Sequence, residues 1–138
     1  MVAKTTRSRK SKGRAFQDEI RAALIAELGV SENDIISTPA SVPGCDLKLS
    51  EAVRARFPFA IEAKRQERLR VWDAMKQCEA NAAREGLLPL LVFRRNRETA
   101  YAMLRFSDFL RLCKVVVDGE KKDQLRDEFR SEEQHDRA

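Results

Sequence analysis

The sequence predicts a mixed α/β domain in which helices flank a central mixed sheet of four to five strands. Two segments, 14–28 and 71–85, carry apolar residues at the three- and four-residue spacing of amphipathic helices. Short apolar or alternating runs typical of strands lie between and after them. Hairpin-like and helix-crossed connections both occur between these strands, so the sheet should contain antiparallel and parallel neighbours.

The first helix is predicted over residues 14–28, with Gly29 as its C-terminal stop. Ile35 and Ile36 are expected to form a short strand, which a loop rich in proline, serine and glycine follows. Residues 45–50 alternate apolar and polar side chains and predict the next strand. Asp46 opens this strand.

Residues 51–56 read as a polar connection between strands. The remaining elements are strands over 57–64, 88–95 and 99–104 and a helix over 71–85 that ends at Gly86. Trp72 lies on the apolar side of that helix and is expected in the core.

Both ends of the chain are strongly charged. Residues 1–12 carry only positive charges and few apolar residues, which favours a flexible basic arm. A folded domain is predicted over 13–117, with a short helix over 108–113 and a turn or short strand after it. Residues 118–138 are expected to form a charged tail or a solvated helix.

Composition narrows the function. The chain has 138 residues, a length that fits one domain. Its formal net charge of +5 favours a polyanionic partner, either nucleic acid or an acidic membrane surface. No apolar run approaches ~20 residues, so no membrane span is expected. The three cysteines form no CxxC pair and the one histidine lies in the polar C-terminal segment. This pattern disfavours zinc and Ser–His–Asp chemistry, and a cytoplasmic protein is expected.

Two carboxylates and one ammonium are predicted to share a site. Glu62 and Lys64 are two residues apart on a strand, so both side chains lie on one face. Asp46 opens a neighbouring strand and can face the same space. These carboxylates and the Ala63 backbone carbonyl are hard oxygen ligands that suit Mg²⁺, with Mn²⁺ as an alternative. Lys64 either orients or deprotonates the attacking water or offsets charge on phosphorus.

The segments GRAFQDEIRAAL, PGCDLKL, FAIEAKR, WDAMKQCEANA and LLVFRRNRETAYAML together resemble the PD-(D/E)XK nuclease superfamily, especially small Holliday-junction-resolvase-like proteins of phages and microbes. The resemblance implies a restriction-endonuclease-like core over 13–117 and metal-dependent hydrolysis of DNA. It implies a catalytic set in which Glu19 joins Asp46 and Glu62 at the metal, Lys64 promotes hydrolysis and Gln77 supports the site. Cys45 stands before Asp46, where the superfamily's motif has proline.

Basic side chains around this site are expected to hold nucleic acid through phosphate contacts. They are Lys10, Lys12, Arg14, Arg65, Arg68, Arg94 and Arg95. The resemblance implies branched DNA as the substrate and a homodimer that cuts two strands symmetrically. Two alternatives remain open: another nuclease of the superfamily, such as a restriction-like, repair or nicking enzyme, or a nucleic-acid-binding module that does not cut.

Overall fold

The computed structural model describes residues 6–135, apart from the side chains of residues 6, 122, 124, 125, 129 and 132–135. It confirms the mixed α/β fold. The elements in chain order are α1 Thr6–Leu28, β1 Ile35–Ser37, β2 Leu47–Leu49, α2 Glu51–Arg56, β3 Phe59–Arg65, α3 Val71–Glu85, β4 Leu88–Arg94, β5 Tyr101–Met103 and α4 Phe106–His135.

The five strands form two sheets. In the first, β1 pairs antiparallel with β2; in the second, β3 pairs parallel with β4, which pairs antiparallel with β5. Helix α3 makes the crossover that a parallel pair requires. The backbone N–H of Asp46 donates to the carbonyl of Ile61 at 3.1 Å and so connects the two sheets just ahead of β2. The strands predicted for one sheet are therefore divided between a two-stranded and a three-stranded sheet.

Helices cover both faces of the β3–β4 pair. On one face, Phe16 and Ile20 of α1 pack in a buried cluster with Ile61 of β3. On the other face, Met75 and Cys78 of α3 pack against Leu91 of β4. Alternation along β3 therefore turns Ile61 and Ala63 toward α1, and it turns Glu62 and Lys64 toward α3.

Helix α1 begins at Thr6, so residues 6–12 of the predicted arm are its first turns, and residues 1–5 lie outside the described chain. The polar connection over 51–56 is the short helix α2. Its N-cap is Ser50, whose side chain accepts a hydrogen bond from the Val53 N–H. The expectation of a buried Trp72 is wrong, because its side chain is 83% exposed on the outer side of α3.

Helix α4 runs without a break from Phe106 to His135, where a short helix and then a turn or strand were predicted. Three consecutive valines, Val115–Val117, suggested a strand, but β-branched residues cost a helix only about 0.5 kcal/mol each. The chain divides into two compact units after Leu104, and α4 belongs to the second. Residues 136–138 of the predicted C-terminal segment lie outside the described chain. Within the part that is described, no helix has the length and apolarity needed to cross a membrane.

Candidate active site

Asp46 is held in place by hydrogen bonds to its backbone and its side chain. Its N–H donates to Ile61, and its carbonyl accepts from the Thr38 N–H at 2.8 Å and from the Gln17 side chain. Its carboxylate oxygen Oδ2 accepts from the backbone N–H of Ala63 at 2.6 Å. The acid is therefore fixed against the middle of the Glu62–Ala63–Lys64 tripeptide.

Glu62 and Lys64 share the α3 face of β3. Glu62 is only 5% exposed, and its Oε1 lies 3.3 Å from the Lys64 Nζ. Its other oxygen, Oε2, accepts from the Asn81 amide of α3 at 3.3 Å. Asn81 also donates to the Gly44 carbonyl at 3.4 Å, so it connects Glu62 to the loop that leads to Asp46.

Burial makes both carboxylates weaker acids than usual. Desolvation raises the pKa of Glu62, and the nearby negative charge of Asp46 raises it further. Desolvation also raises the pKa of Asp46, against the opposing effects of the Ala63 N–H and the Lys64 charge. Two partly desolvated carboxylates beside one ammonium leave an excess of negative charge, which a bound cation would offset.

The donor set fits a hard divalent ion. The N–H and C=O of one strand residue face the same neighbouring strand, so the Ala63 carbonyl faces the edge that Asp46 occupies. Asp46, Glu62 and this carbonyl could hold Mg²⁺ or Mn²⁺, which keep several positions for water and phosphate oxygens. Among the described residues, no three His, Cys, Asp or Glu side chains converge on a metal position.

Glu19, the third acid of the expected set, forms an ion pair with Arg94. Its two carboxylate oxygens accept from the Arg94 guanidinium at 3.1 and 2.8 Å. The guanidinium carbon of Arg94 also lies 4.8 Å from the centre of the Phe16 ring. The pair is thus a bidentate contact between α1 and β4, and it occupies both Glu19 and Arg94.

Gln77 is exposed on α3, and no hydrogen bond joins its side chain to Glu62 or Asp46 in the described chain. Asn81, one helical turn later on the same side of α3, makes the contact to Glu62 instead. Asn81 and Gln17 were not predicted as site residues. Asn81 lies four residues after Gln77, and this helical spacing could have indicated it as a site residue. No local sequence pattern indicated a role for Gln17.

Four of the seven predicted DNA-contacting side chains line one cleft next to Lys64. Lys10 and Lys12 contribute from α1, and Arg65 and Arg68 contribute from the end of β3 and the loop after it. Arg14 and Arg95 are exposed outside this cleft. This basic cleft concentrates positive charge around Lys64, as phosphate binding requires.

Three comparisons with known proteins bear on the family. The model of a family described as "Phage putative PDDEXK endonuclease" matches residues 8–136. No curated protein matches the chain significantly. Among solved structures, the Hjc Holliday junction resolvase of the archaeal hyperthermophile Archaeoglobus fulgidus is similar at 21% identity over 67% of this chain and 72% of that chain, with a TM-score of 0.43. The family match spans nearly the whole sequence, including Asp46, Glu62 and Lys64, and the chain therefore belongs to this family of phage PDDEXK endonucleases.

Proposed function

We propose that this protein is a metal-dependent endonuclease that hydrolyses phosphodiester bonds in DNA at Asp46, Glu62 and Lys64. One observation carries the proposal. The Asp46 carboxylate is hydrogen-bonded to the backbone between Glu62 and Lys64, and the latter two form an ion pair at 3.3 Å on the same strand. Membership of an endonuclease family agrees with this chemistry.

Asp46, Glu62 and the Ala63 carbonyl would hold Mg²⁺, with Mn²⁺ as a possible substitute. When bound, such an ion lowers the pKa of a coordinated water and neutralises charge on the phosphate. The raised pKa values of the two carboxyl groups mean that the ion competes with protons for them. Asn81 keeps the Glu62 carboxylate oriented through its amide.

The Lys64 Nζ lies 3.3 Å from Glu62 Oε1, and its side chain is 23% exposed and lines the basic cleft. This position favours orientation of the scissile phosphate and stabilisation of its developing negative charge over proton removal from water. Glu19 is the third acid of our proposal. It would act on the metal only after its ion pair with Arg94 opens, for example when a DNA phosphate takes over the guanidinium.

The proposed substrate is branched DNA, bound along the cleft lined by Lys10, Lys12, Arg65 and Arg68. Symmetric cleavage of two strands requires two sites, so the proposal includes a homodimer. Large apolar side chains exposed on α4 are candidates for the contact between copies. They are Phe106, Phe109, Leu110, Leu112, Val115, Val116 and Val117.

A cleavage panel tests the function. Four-way junction, duplex, flap and single-stranded DNA are incubated with Mg²⁺ or Mn²⁺, each with and without EDTA. We expect cleavage with metal, strongest on the junction, none with EDTA, and none by Asp46→Asn or Lys64→Ala. Preference for another structure would indicate a different nuclease of the superfamily. Binding without any metal-dependent product would instead indicate the non-cleaving module.

A further inference from the structure

We propose that a second cavity, next to the basic cleft lined by Lys10, Lys12, Arg65 and Arg68, binds one unpaired nucleotide of the DNA substrate. We call it the side cavity. This inference rests on the proposed function, since it assigns part of the substrate. The cavity has a volume of about 370 Å³, within the range of small-molecule sites, and lies within the first compact unit. Its walls include Arg68, Leu69, Phe93, Arg95 and Tyr101.

Two aromatic rings form one wall of this side cavity. The Phe93 and Tyr101 ring centres are 6.1 Å apart and the rings are inclined at 34°. Tyr101 lies on the edge strand β5 and is 59% exposed. Phe93 and Tyr101 are cross-strand partners, so their rings lie side by side on one face of the sheet. The exposed Tyr101 ring offers a stacking surface, and every base has a π-face that stacks on such a surface.

The side cavity is lined by charged side chains of both signs, namely Arg68, Arg94, Arg95, Glu67 and Glu98. Two of the arginines are free to bind an anion. Arg68 and Arg95 are exposed, and neither lies within ion-pair distance of a carboxylate in the described chain. In contrast, Arg94 is occupied by Glu19, and Arg65 donates to the Asn96 side chain at 3.4 Å. The free guanidinium groups beside an aromatic surface fit a nucleotide, because they can bind its phosphate while the ring stacks on the base. The lysines and arginines of the adjoining cleft favour nucleic acid over a protein partner as the occupant.

The side cavity and the basic cleft share a wall. Gln66, Glu67 and Arg68 line both. Two hydrogen bonds hold this wall to the end of β4 and to the β4–β5 connection. The Gln66 N–H donates to the Arg94 carbonyl at 3.2 Å, and the Glu67 carboxylate accepts from the Asn96 N–H at 3.0 Å.

The shared wall places the two sites within reach of one DNA strand. Lys64 and Arg68 are four residues apart, so their Cα atoms are separated by at most about 14 Å. A strand in the basic cleft can therefore reach the side cavity with a nucleotide near the cut. An unpaired base is the one whose face is free to stack on Tyr101. The cavity would thus favour substrates with an unpaired base close to the scissile bond.

Binding measurements with the cleavage-deficient Asp46→Asn variant in EDTA test this assignment. The probe is a duplex with one unpaired 2-aminopurine, compared with a fully paired duplex of the same length. Tyr101→Ala should weaken binding of the first probe by about fivefold or more, abolish the fluorescence change of its 2-aminopurine and leave the paired duplex unaffected. Tyr101→Phe, which keeps the ring, is the matched control and should bind like the parent.

Arg95→Ala provides a second variant that leaves the aromatic wall intact. It should also weaken the unpaired probe more than the paired duplex, and thermal melting shows that each variant is folded. Equal losses on both probes, or no loss on either, would overturn the inference. If that result is obtained and the unsubstituted protein still cleaves DNA with metal, the nucleotide site is wrong and the proposed function is retained. If the variants lose binding to the unpaired probe selectively and the unsubstituted protein does not cleave, the nuclease proposal is overturned and the nucleotide site is retained.

Discussion

The carboxylate of Asp46 accepts a hydrogen bond from the backbone N–H of Ala63 at 2.6 Å. Ala63 lies between Glu62 and Lys64 on β3. Its N–H therefore ties the strand that carries these two residues to Asp46. The position of the Asp46 carboxylate therefore depends on the alignment of β3 with the start of β2. This relationship explains why two acids are kept close together despite the cost of burying them.

The metal-free protein should become less stable as the pH rises above the ordinary carboxyl range. Both pKa values are raised in the fold, so the folded state binds more protons than the unfolded state between the ordinary and the raised values. The free energy of unfolding therefore falls from the ordinary values of 3.8 for Asp46 and 4.5 for Glu62 up to the raised values. Urea unfolding in EDTA at several pH values measures this trend.

Asp46→Asn is the control for that trend, since an amide oxygen can still accept from the Ala63 N–H without carrying charge. The variant should show a shallower pH dependence and, without metal, should be at least as stable as the unsubstituted protein at neutral pH. Identical pH profiles for the two proteins would show that Asp46 titrates normally.

Asn81→Ala should lower metal affinity and cleavage by about 10- to 100-fold, the usual effect of losing a group that orients a ligand. Its amide donates to Glu62 Oε2, and truncation frees that carboxylate to rotate. Gln77→Ala, one turn earlier on α3, is the matched comparison and should have the smaller effect. Mg²⁺ titration of the cleavage rate measures both. A larger loss from Gln77→Ala would restore the role that the family resemblance gave to that residue.

Glu19→Gln should lower cleavage less than Asp46→Asn does. Glu19 is 58% exposed and paired with Arg94, whereas Asp46 is fixed directly at the site. Single-turnover cleavage at saturating Mg²⁺ compares the two variants, with Arg94→Gln as the control for the broken ion pair. If Glu19→Gln were as damaging as Asp46→Asn while Arg94→Gln was silent, Glu19 would be an essential ligand at the metal.

Cys113 should react with a thiol reagent before the other two cysteines. Burial raises the pKa of Cys45 to about 11 and that of Cys78 to about 12, so at pH 8 about one Cys45 thiol in a thousand is ionised. Cys113 is less buried than either. Iodoacetamide labelling of the native protein followed by mass spectrometry gives the order, and labelling in urea is the control. Early modification of Cys78 would contradict the packing of α3 on the sheet.

Local patterns predicted much of this fold. Helix α3 has its predicted bounds, because apolar periodicity defines its length and Gly86 adopts the left-handed conformation, φ 64°, that ends it. Strand alternation likewise predicted that Glu62 and Lys64 share a face. These features depend on residues that are close together in the sequence, so the sequence alone is enough to predict them.

The features that sequence reasoning missed depend on contacts between distant elements. Asn81 and Gln77 occupy the same side of α3, and only the packing of that helix on β3 places Asn81 at Glu62. Trp72 has a large apolar side chain of the kind usually found in a core, yet the orientation of α3 leaves it exposed. The pairing of Glu19 with Arg94 joins residues 75 positions apart, which no local pattern could indicate.

Direct measurement of Mn²⁺ binding tests the central claim, that Asp46 and Glu62 together hold the catalytic ion. Electron paramagnetic resonance reports free Mn²⁺ as protein is added in the presence of uncleavable DNA. The unsubstituted protein should deplete the free-ion signal, and Asp46→Asn and Glu62→Gln should each leave most of it, while Glu27→Gln, at an exposed position of α1 outside both sites, should behave like the unsubstituted protein. Undiminished Mn²⁺ binding by both site variants would contradict the account.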